Sequence, residues 1–161
     1  MSEGSQPNPD HMRRAIALSQ MGMRSNQGGP FGAVIVKDGQ IIAEGHNEVT
    51  SSHDPTAHAE IVAIRRACIN LNSFQLDGCE LYTSCEPCPM CLGAIYWSRL
   101  DRIFYGNTKE DAKAIGFDDQ FIYEELDLAK DERKLPMKPL LREVAQAAFR
   151  EWDEKGDRTN Y

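Results

Sequence analysis

The sequence lacks several features that define large classes of protein. No apolar run among its 161 residues approaches the ~18 residues that a membrane-spanning helix needs. Residues 1–10 do not have the basic-then-apolar layout of a signal peptide, so we expect a cytoplasmic protein. Basic residues are also in deficit, since 18 Lys and Arg face 25 Asp and Glu. This balance argues against a protein that binds phosphate backbones, but it names no activity.

Cysteine is scarce and unevenly placed. Three of the five cysteines fall within seven residues, at Cys85, Cys88 and Cys91. An odd count without a secretion signal indicates a reducing compartment, where a Cys-x-x-Cys pair indicates metal or redox chemistry rather than a disulfide. We expect Cys68 and Cys79 to be buried as small hydrophobic residues.

Hydrophobic patterning predicts one domain, spanning residues 1–161, in which helices and strands alternate after a loose tail at residues 1–9. The predicted helices cover residues 10–25, 57–72, 87–98 and 140–152. The predicted strands cover residues 32–36, 40–43, 80–83 and 102–105, and an Asp-Gly turn makes a hairpin of the first two. Strand, helix, strand, helix, strand in this order predicts an α/β fold with parallel crossovers within one sheet.

Two short motifs carry the chemistry, His58-Ala59-Glu60 and Pro87-Cys88-Pro89-Met90-Cys91. One imidazole and two thiolates suit Zn²⁺, and three protein ligands leave the fourth tetrahedral position for water, as in catalytic sites. Zinc lowers the pKa of such a water toward ~7. Glu60, which is not a ligand in this scheme, is then placed to move protons.

The spacing of these motifs also predicts where they lie on helices. Residues two apart do not share a helix face, so His58 and Glu60 can converge only in a first turn. Cys88 and Cys91 are predicted to begin a second helix, whose amino terminus favours the thiolate. A Cys-x-x-Cys pair alone also fits a redox pair or half of a zinc ribbon. A structural zinc needs a fourth ligand, however, and we expect the spare thiol, Cys85, to pack beneath the site.

His-x-Glu followed by Pro-Cys-x-x-Cys is the signature of the zinc nucleobase deaminases. The sequence resembles the cytidine deaminase-like superfamily and, more narrowly, the bacterial guanine deaminase family. The matching stretches are residues 28–36, 54–65, 81–97 and 115–123 and the terminal Tyr161. This resemblance implies a three-layer α/β/α sandwich with a mixed five-stranded sheet. It also implies one Zn²⁺ per subunit, held by His58, Cys88 and Cys91.

The resemblance further implies hydrolysis of guanine to xanthine and ammonia in purine catabolism or salvage, with Glu60 as the general acid and base. In this family Asn47 binds the purine ring, Phe31 lies against it and Trp97 lines the pocket. Asp119 would accept from guanine N–H groups or assist proton transfer. Residues 153–161, ending at Tyr161, would cross to the partner in a homodimer and close its active site.

Each of these residues also has a structural alternative. Asn47 suits the end of the predicted hairpin, and Asp119 suits the start of a helix that begins near it. Phe31 and Trp97 are aromatic residues of the kind that fill a hydrophobic core. Tyr161 is the last residue of the chain, where a frayed end is ordinary.

Three other functions use the same motifs. A guanosine or other nucleoside deaminase needs the same zinc chemistry, although a terminal segment that seals the site leaves less room for ribose. A tRNA adenosine deaminase should carry basic residues around its pocket, whereas residues 123–127 are acidic. A non-enzymatic zinc module would have no use for Glu60. The sequence therefore favours a small purine as partner over nucleic acid or membrane.

Overall fold

A computed structural model describes residues 6–161. These residues form two compact units, the first ending at Asp119 and the second covering Gln120–Tyr161. Most of the predicted tail, residues 1–5, lies outside the described residues, and the first helix already begins at Pro9. None of the helices in the described part of the chain is both long and apolar enough to cross a membrane.

The first unit contains every helix and strand that patterning predicts between residues 10 and 105, together with two short helices that it does not. Its helices are α1 (Pro9–Arg24), α2 (Val49–Ser52), α3 (Ala59–Leu71), α4 (Pro89–Trp97) and α5 (Lys109–Ala114). Its strands are β1 (Gly32–Lys37), β2 (Gln40–His46), β3 (Cys79–Cys85) and β4 (Arg102–Asn107).

The strands form a mixed sheet in the order β2-β1-β3-β4. Strand β1 is antiparallel to β2 and β3, and β3 is parallel to β4. Asp38 and Gly39 join β1 to β2 with φ of 49° and 76°, the left-handed pair that a two-residue hairpin turn requires, so the predicted hairpin is confirmed.

The expectation of five strands is wrong for residues 6–161, where the sheet has four. No described residue after β4 forms a strand, and the chain there begins a helix instead. The Thr108 hydroxyl accepts from the Asp111 N–H at 3.3 Å, and the Asp111 carboxylate accepts from the Thr108 N–H at 2.9 Å. This reciprocal capping starts α5 directly after β4, which ends the sheet there.

Both faces of β1 are buried, which explains its continuous apolar run. Ala33 and Ile35 belong to a cluster with apolar residues of α3 and α4, whereas Val34 and Val36 belong to a second cluster with Leu18 of α1. Helices therefore pack on both faces of the sheet.

Gly45 on β2 explains how the start of α3 comes so close to the sheet. A Cβ at this position would lie 2.5 Å from the carbonyl oxygen of Ala59, the first residue of α3. Because glycine has no side chain, the helix start can rest on the strand, and this contact fixes the position of His58 just before it.

The second unit contains α6 (Gln120–Asp127) and α7 (Arg142–Glu154). The predicted last amphipathic helix is confirmed in α7. Its apolar stripe is nonetheless exposed in the single chain, with Val144 at 67%, Phe149 at 80% and Trp152 at 43%.

Candidate active site

Two helix starts in the first unit carry the metal-binding motifs. His58 is the N-cap of α3 and Cys88 is the N-cap of α4, both with extended backbone. Neither side chain caps its own helix, so both remain available to a ligand. Pro89 occupies the first helical position of α4, where its missing N–H does no harm. The prediction that both motifs begin helices is confirmed.

The three predicted ligands converge, and their spacing fits a zinc ion. Nδ1 of His58 lies 3.5 Å from Sγ of Cys88 and 3.5 Å from Sγ of Cys91. A tetrahedral ion bound at ~2.0 Å from nitrogen and ~2.3 Å from sulfur separates these atoms by about 3.5 Å. The ligand atoms of all three residues lie within 4.8 Å of one another.

The contacts within this group favour one thiolate. The hydrogen bond with Cys91, together with a smaller effect of the hydrogen bond with His58, lowers the pKa of Cys88 to about 4. The same hydrogen bond and burial raise the pKa of Cys91, while contact with Cys88 raises the pKa of His58. A divalent cation among these atoms would deprotonate both thiols, as coordinating thiols require.

Cys85 differs from the two ligand cysteines, as predicted. It is 5% exposed, and its Sγ lies 3.7 Å from the carbonyl oxygen of Thr108. Burial, with a smaller effect of the Glu60 charge, raises the pKa of its thiol to about 11. Cys85 is not among the three residues whose ligand atoms converge.

Glu60 lies in the first turn of α3 beside the ligand group. Its carboxyl is 6% exposed, with Oε2 3.5 Å from the Cys91 thiol that donates to it and Oε1 3.2 Å from the hydroxyl of Thr83. Burial raises the pKa of this carboxyl. A carboxyl with a raised pKa, next to a site that binds water through a metal, is suited to accept and return protons.

Asn47 directly follows β2 and is 6% exposed. Its Oδ1 accepts from the backbone N–H of Gly29 at 3.2 Å and of Val49 at 3.1 Å. The next residue, Glu48, donates its N–H to the carbonyl of Ala57 at 3.0 Å, which places this loop beside the residue that precedes His58. With its oxygen held by two backbone donors, the amide presents its NH2 group to a ligand. Asn47 therefore ends the hairpin, in a loop that is hydrogen-bonded to the segment before His58.

Phe31 makes an aromatic contact with Phe117, two residues before Asp119. The ring of Phe31 meets the ring of Phe117 edge to face, with centroids 4.9 Å apart. A Cβ on Gly29 would lie 3.1 Å from both rings, so glycine leaves room for this pair. Two residues after Phe117, burial raises the pKa of Asp119, and the charge of Cys88 raises it further.

The geometry is that of a zinc-dependent hydrolytic site, and comparison with known proteins assigns its family. The family described as the cytidine and deoxycytidylate deaminase zinc-binding region matches residues 5–107, more than half of the chain. The chain belongs to this deaminase family.

Comparison with individual deaminases narrows the resemblance. The chain is 53% identical to guanine deaminase from Bacillus subtilis (strain 168) over 150 residues, which cover 93% of this chain and 96% of the relative. The X-ray structure of guanine deaminase from Bacillus subtilis matches with a TM-score of 0.94 and 51% identity, covering 97% of this chain and 99% of that one. A tRNA-specific adenosine deaminase from Aquifex aeolicus is 51% identical over only 76 residues, covering 47% of this chain and 50% of that protein.

Two predicted residues of this deaminase lie at element ends rather than in the core. Trp97 is the last residue of α4 and is 64% exposed. Tyr161, the last residue of the second unit, is 69% exposed. The alternative that Trp97 fills the core is therefore wrong. Phe31, in contrast, packs against the core cluster between the sheet and α3.

Sequence reasoning did not single out Thr83 or Phe117. Phe117 lies within a stretch that resembles the family, but nothing in its spacing indicates the contact with Phe31. Thr83 is 1% exposed on β3. A hydroxyl among apolar neighbours in a predicted strand was the signal that could have found Thr83. That signal does not identify the partner of the hydroxyl, Glu60, which is 23 residues away in the sequence.

Proposed function

We propose that this protein is a zinc-dependent guanine deaminase, a hydrolase that converts guanine and water to xanthine and ammonia. The observation that carries this proposal is the joint placement of His58, Cys88, Cys91 and Glu60 at two helix starts. The near full-length similarity to a guanine deaminase supports the substrate.

Zinc held by His58, Cys88 and Cys91 would lower the pKa of a bound water and so supply the nucleophile. Glu60 would accept a proton from that water and return protons to the ring nitrogen and the departing amine. In the balance of the reaction, one carbon–oxygen bond forms, one carbon–nitrogen bond breaks and ammonia leaves. Burial supports this role because it keeps bulk water from exchanging the proton that Glu60 carries.

The purine would be held by the loops around these helix starts. Asn47 would donate its NH2 group to an acceptor on the ring, and Phe31 would pack against the ring. Asp119 would accept from the N–H donors on the amidine edge of guanine, to which a carboxylate is complementary. We assign Trp97 and Tyr161 to the wall of the pocket, with Tyr161 supplied by a partner chain.

The nucleoside and tRNA alternatives can be separated by one screen. Purified protein is assayed for ammonia release from guanine, guanosine, adenine, cytosine, cytidine and an adenosine-containing tRNA anticodon stem-loop. We expect guanine alone to give rapid release. Release from guanosine at a rate equal to or above that from guanine would contradict the free-base assignment. Release from the stem-loop alone would make the protein a tRNA deaminase, which the partial match to such enzymes would then explain.

We further propose a homodimer in which residues 153–161 cross to the partner subunit. The support is apolar surface that the single chain leaves exposed. On α7, Val144 is 67% and Phe149 is 80% exposed, and on α4, which is apolar around its whole circumference, Tyr96 is 72% exposed. A helix that is apolar on all sides is normally buried, and a partner chain would bury this one.

Mixing two inactive variants tests the exchange directly. One chain lacks residues 153–161, and the other carries Glu60→Gln in the full-length protein. If the segment crosses, a mixed dimer contains one site with Glu60 and a complete terminal segment, so activity returns on refolding the two together. If each chain closes its own site, the mixture stays inactive. Light scattering of the full-length protein should give the mass of two chains.

We also propose that residues 1–161 act as one catalytic domain in the cytoplasm. The five free cysteines support a reducing compartment. The two apolar clusters on opposite faces of the sheet support the three-layer arrangement of the family.

A further inference from the structure

Thr83 is a buried hydroxyl in contact with the proposed acid–base residue. It lies on β3, a central strand, where it pairs with Ala33 of β1 on one side and Tyr105 of β4 on the other. Its backbone is therefore held from both sides, and its β-branched side chain has few rotamers available. With 1% of the residue exposed, the hydroxyl has a fixed direction and no access to bulk water.

The hydroxyl connects two parts of the active site. Oγ1 lies 3.2 Å from Oε1 of Glu60 on α3 and 3.0 Å from the carbonyl oxygen of Cys85. Cys85 is the last residue of β3, three residues before the ligand Cys88. One side chain on the rigid sheet thus joins the carboxyl of Glu60 to the strand end that leads into the metal-binding loop.

The carboxyl of Glu60 has a second side-chain contact, in which the Cys91 thiol donates to Oε2 at 3.5 Å. Cys91 belongs to the group that could hold a metal, whereas Thr83 does not. The contact of Thr83 with Oε1 is therefore independent of the candidate ligands.

We infer that Thr83 is a positioning residue, which holds the carboxyl of Glu60 in the orientation that proton transfer requires. This inference rests on the proposed function. Without the hydroxyl, the carboxyl group loses a fixed partner and can rotate about its terminal torsion, which has a broad energy minimum. Proton transfer needs donor and acceptor within hydrogen-bond reach, so the rotation lowers the rate of the chemical step. Binding of the purine by Asn47 and Phe31 does not use this contact.

Thr83→Val tests the inference because valine has nearly the same shape without the hydroxyl. We expect kcat for guanine to fall by roughly 10- to 100-fold, the size of effect that small misplacements of catalytic groups produce, while KM stays within about twofold. Zinc content should remain one ion per chain. Thr83→Ser, which restores the hydroxyl, should return kcat to within about threefold of the wild type.

Ser84→Ala is the matched control. Ser84 is the neighbouring residue on β3, is 3% exposed, and its hydroxyl oxygen accepts from the N–H of Gly32 at 3.0 Å. Its loss should lower the melting temperature without lowering kcat. An equal loss of kcat in Ser84→Ala and Thr83→Val would mean that the loss follows from removing any buried hydroxyl of this strand. It would not be specific to the contact with Glu60, and the inference would be overturned.

A second pair keeps the test valid if the valine variant does not fold. Thr83→Ser and Thr83→Ala both lose the methyl group and differ in the hydroxyl alone. A higher kcat in the serine variant supports the inference, whereas equal values for the two variants overturn it. A rise in KM with kcat unchanged overturns it as well, because that result would assign Thr83 to substrate binding.

A substrate-independent measurement separates this inference from the proposed function. If the wild type releases no ammonia from guanine, the proposed function fails. The contact is then tested by urea unfolding of the zinc-loaded wild type, Thr83→Val, Glu60→Ala and the double variant, because alanine at position 60 has no oxygen that could accept from Thr83. Non-additive changes in midpoint support a coupling between the two side chains, and additive changes overturn it.

Discussion

Replacement of Glu60 by glutamine tests the proposed chemistry most directly. Glutamine has almost the same shape, keeps an oxygen that can accept from Thr83, and cannot take up a proton at neutral pH. The carboxyl is 6% exposed, so bulk water cannot replace it as a proton carrier. A positioned general acid or base accounts for about 10²- to 10⁴-fold in rate, and guanine hydrolysis needs one both for the water and for the leaving amine. We therefore expect kcat to fall at least ~10³-fold, which corresponds to about 4 kcal/mol on the barrier.

The assay is ammonia release from guanine, with zinc content and far-ultraviolet circular dichroism measured on the same samples. The metal ligands are untouched, so the variant should bind one zinc per chain and remain folded. Glu110→Gln, on the exposed side of α5, is the control and should retain wild-type kcat. A Glu60→Gln enzyme that keeps its zinc and turns over within tenfold of the wild type would refute the acid–base role.

Three further predictions concern the metal, the substrate loop and the fold. Chelation of the metal should abolish activity reversibly while circular dichroism stays native, because the ligands lie on helices packed against the sheet; unfolding on chelation would instead identify a structural metal. Asn47→Asp should raise KM for guanine about tenfold with little loss of stability, since a carboxylate still accepts from Gly29 and Val49 but has no NH2 group to donate; an unchanged KM would contradict the assignment. Glu44→Gln should lower the free energy of unfolding at pH 7 by about 0.5–1 kcal/mol. Arg14 binds Glu44 through two hydrogen bonds of 2.7 Å. The effect is small because the side chains of Arg14 and Glu44 are 40% and 35% exposed, so solvent screens the pair. The hydrogen bond from Arg14 lowers the pKa of Glu44 below its ordinary 4.5, so this stabilisation is present above pH 4.5 and is lost as the pH falls through the lowered pKa. Urea unfolding of the wild type and Glu44→Gln across this range should show that their difference in unfolding free energy shrinks in acid.

Local patterns were sufficient for most of the secondary structure and for the metal ligands. Two apolar runs on either side of the Asp38-Gly39 turn predicted the hairpin, because turn geometry is set by a few neighbouring residues. His58 with Glu60, and Cys88 with Cys91, predicted two helix starts, because side chains at these short spacings can converge only in a first turn. The number of strands was wrong because it came from the resemblance, whereas the capping of α5 by Thr108 and Asp111 ends the sheet after β4.

By itself, the sequence predicted a zinc site, three candidate ligands and a nearby carboxylate, because these depend on residue types and short spacings, which fold locally. The class of reaction was implied by the family resemblance that these motifs carry. Tertiary structure decided what surrounds that carboxylate and which surfaces remain exposed. Thr83 reaches Glu60 across 23 residues, and Phe31 reaches Phe117 across a longer separation, only because the sheet and its helices bring those segments together. No local pattern encodes such contacts, since they depend on the packing of elements that are distant in the chain.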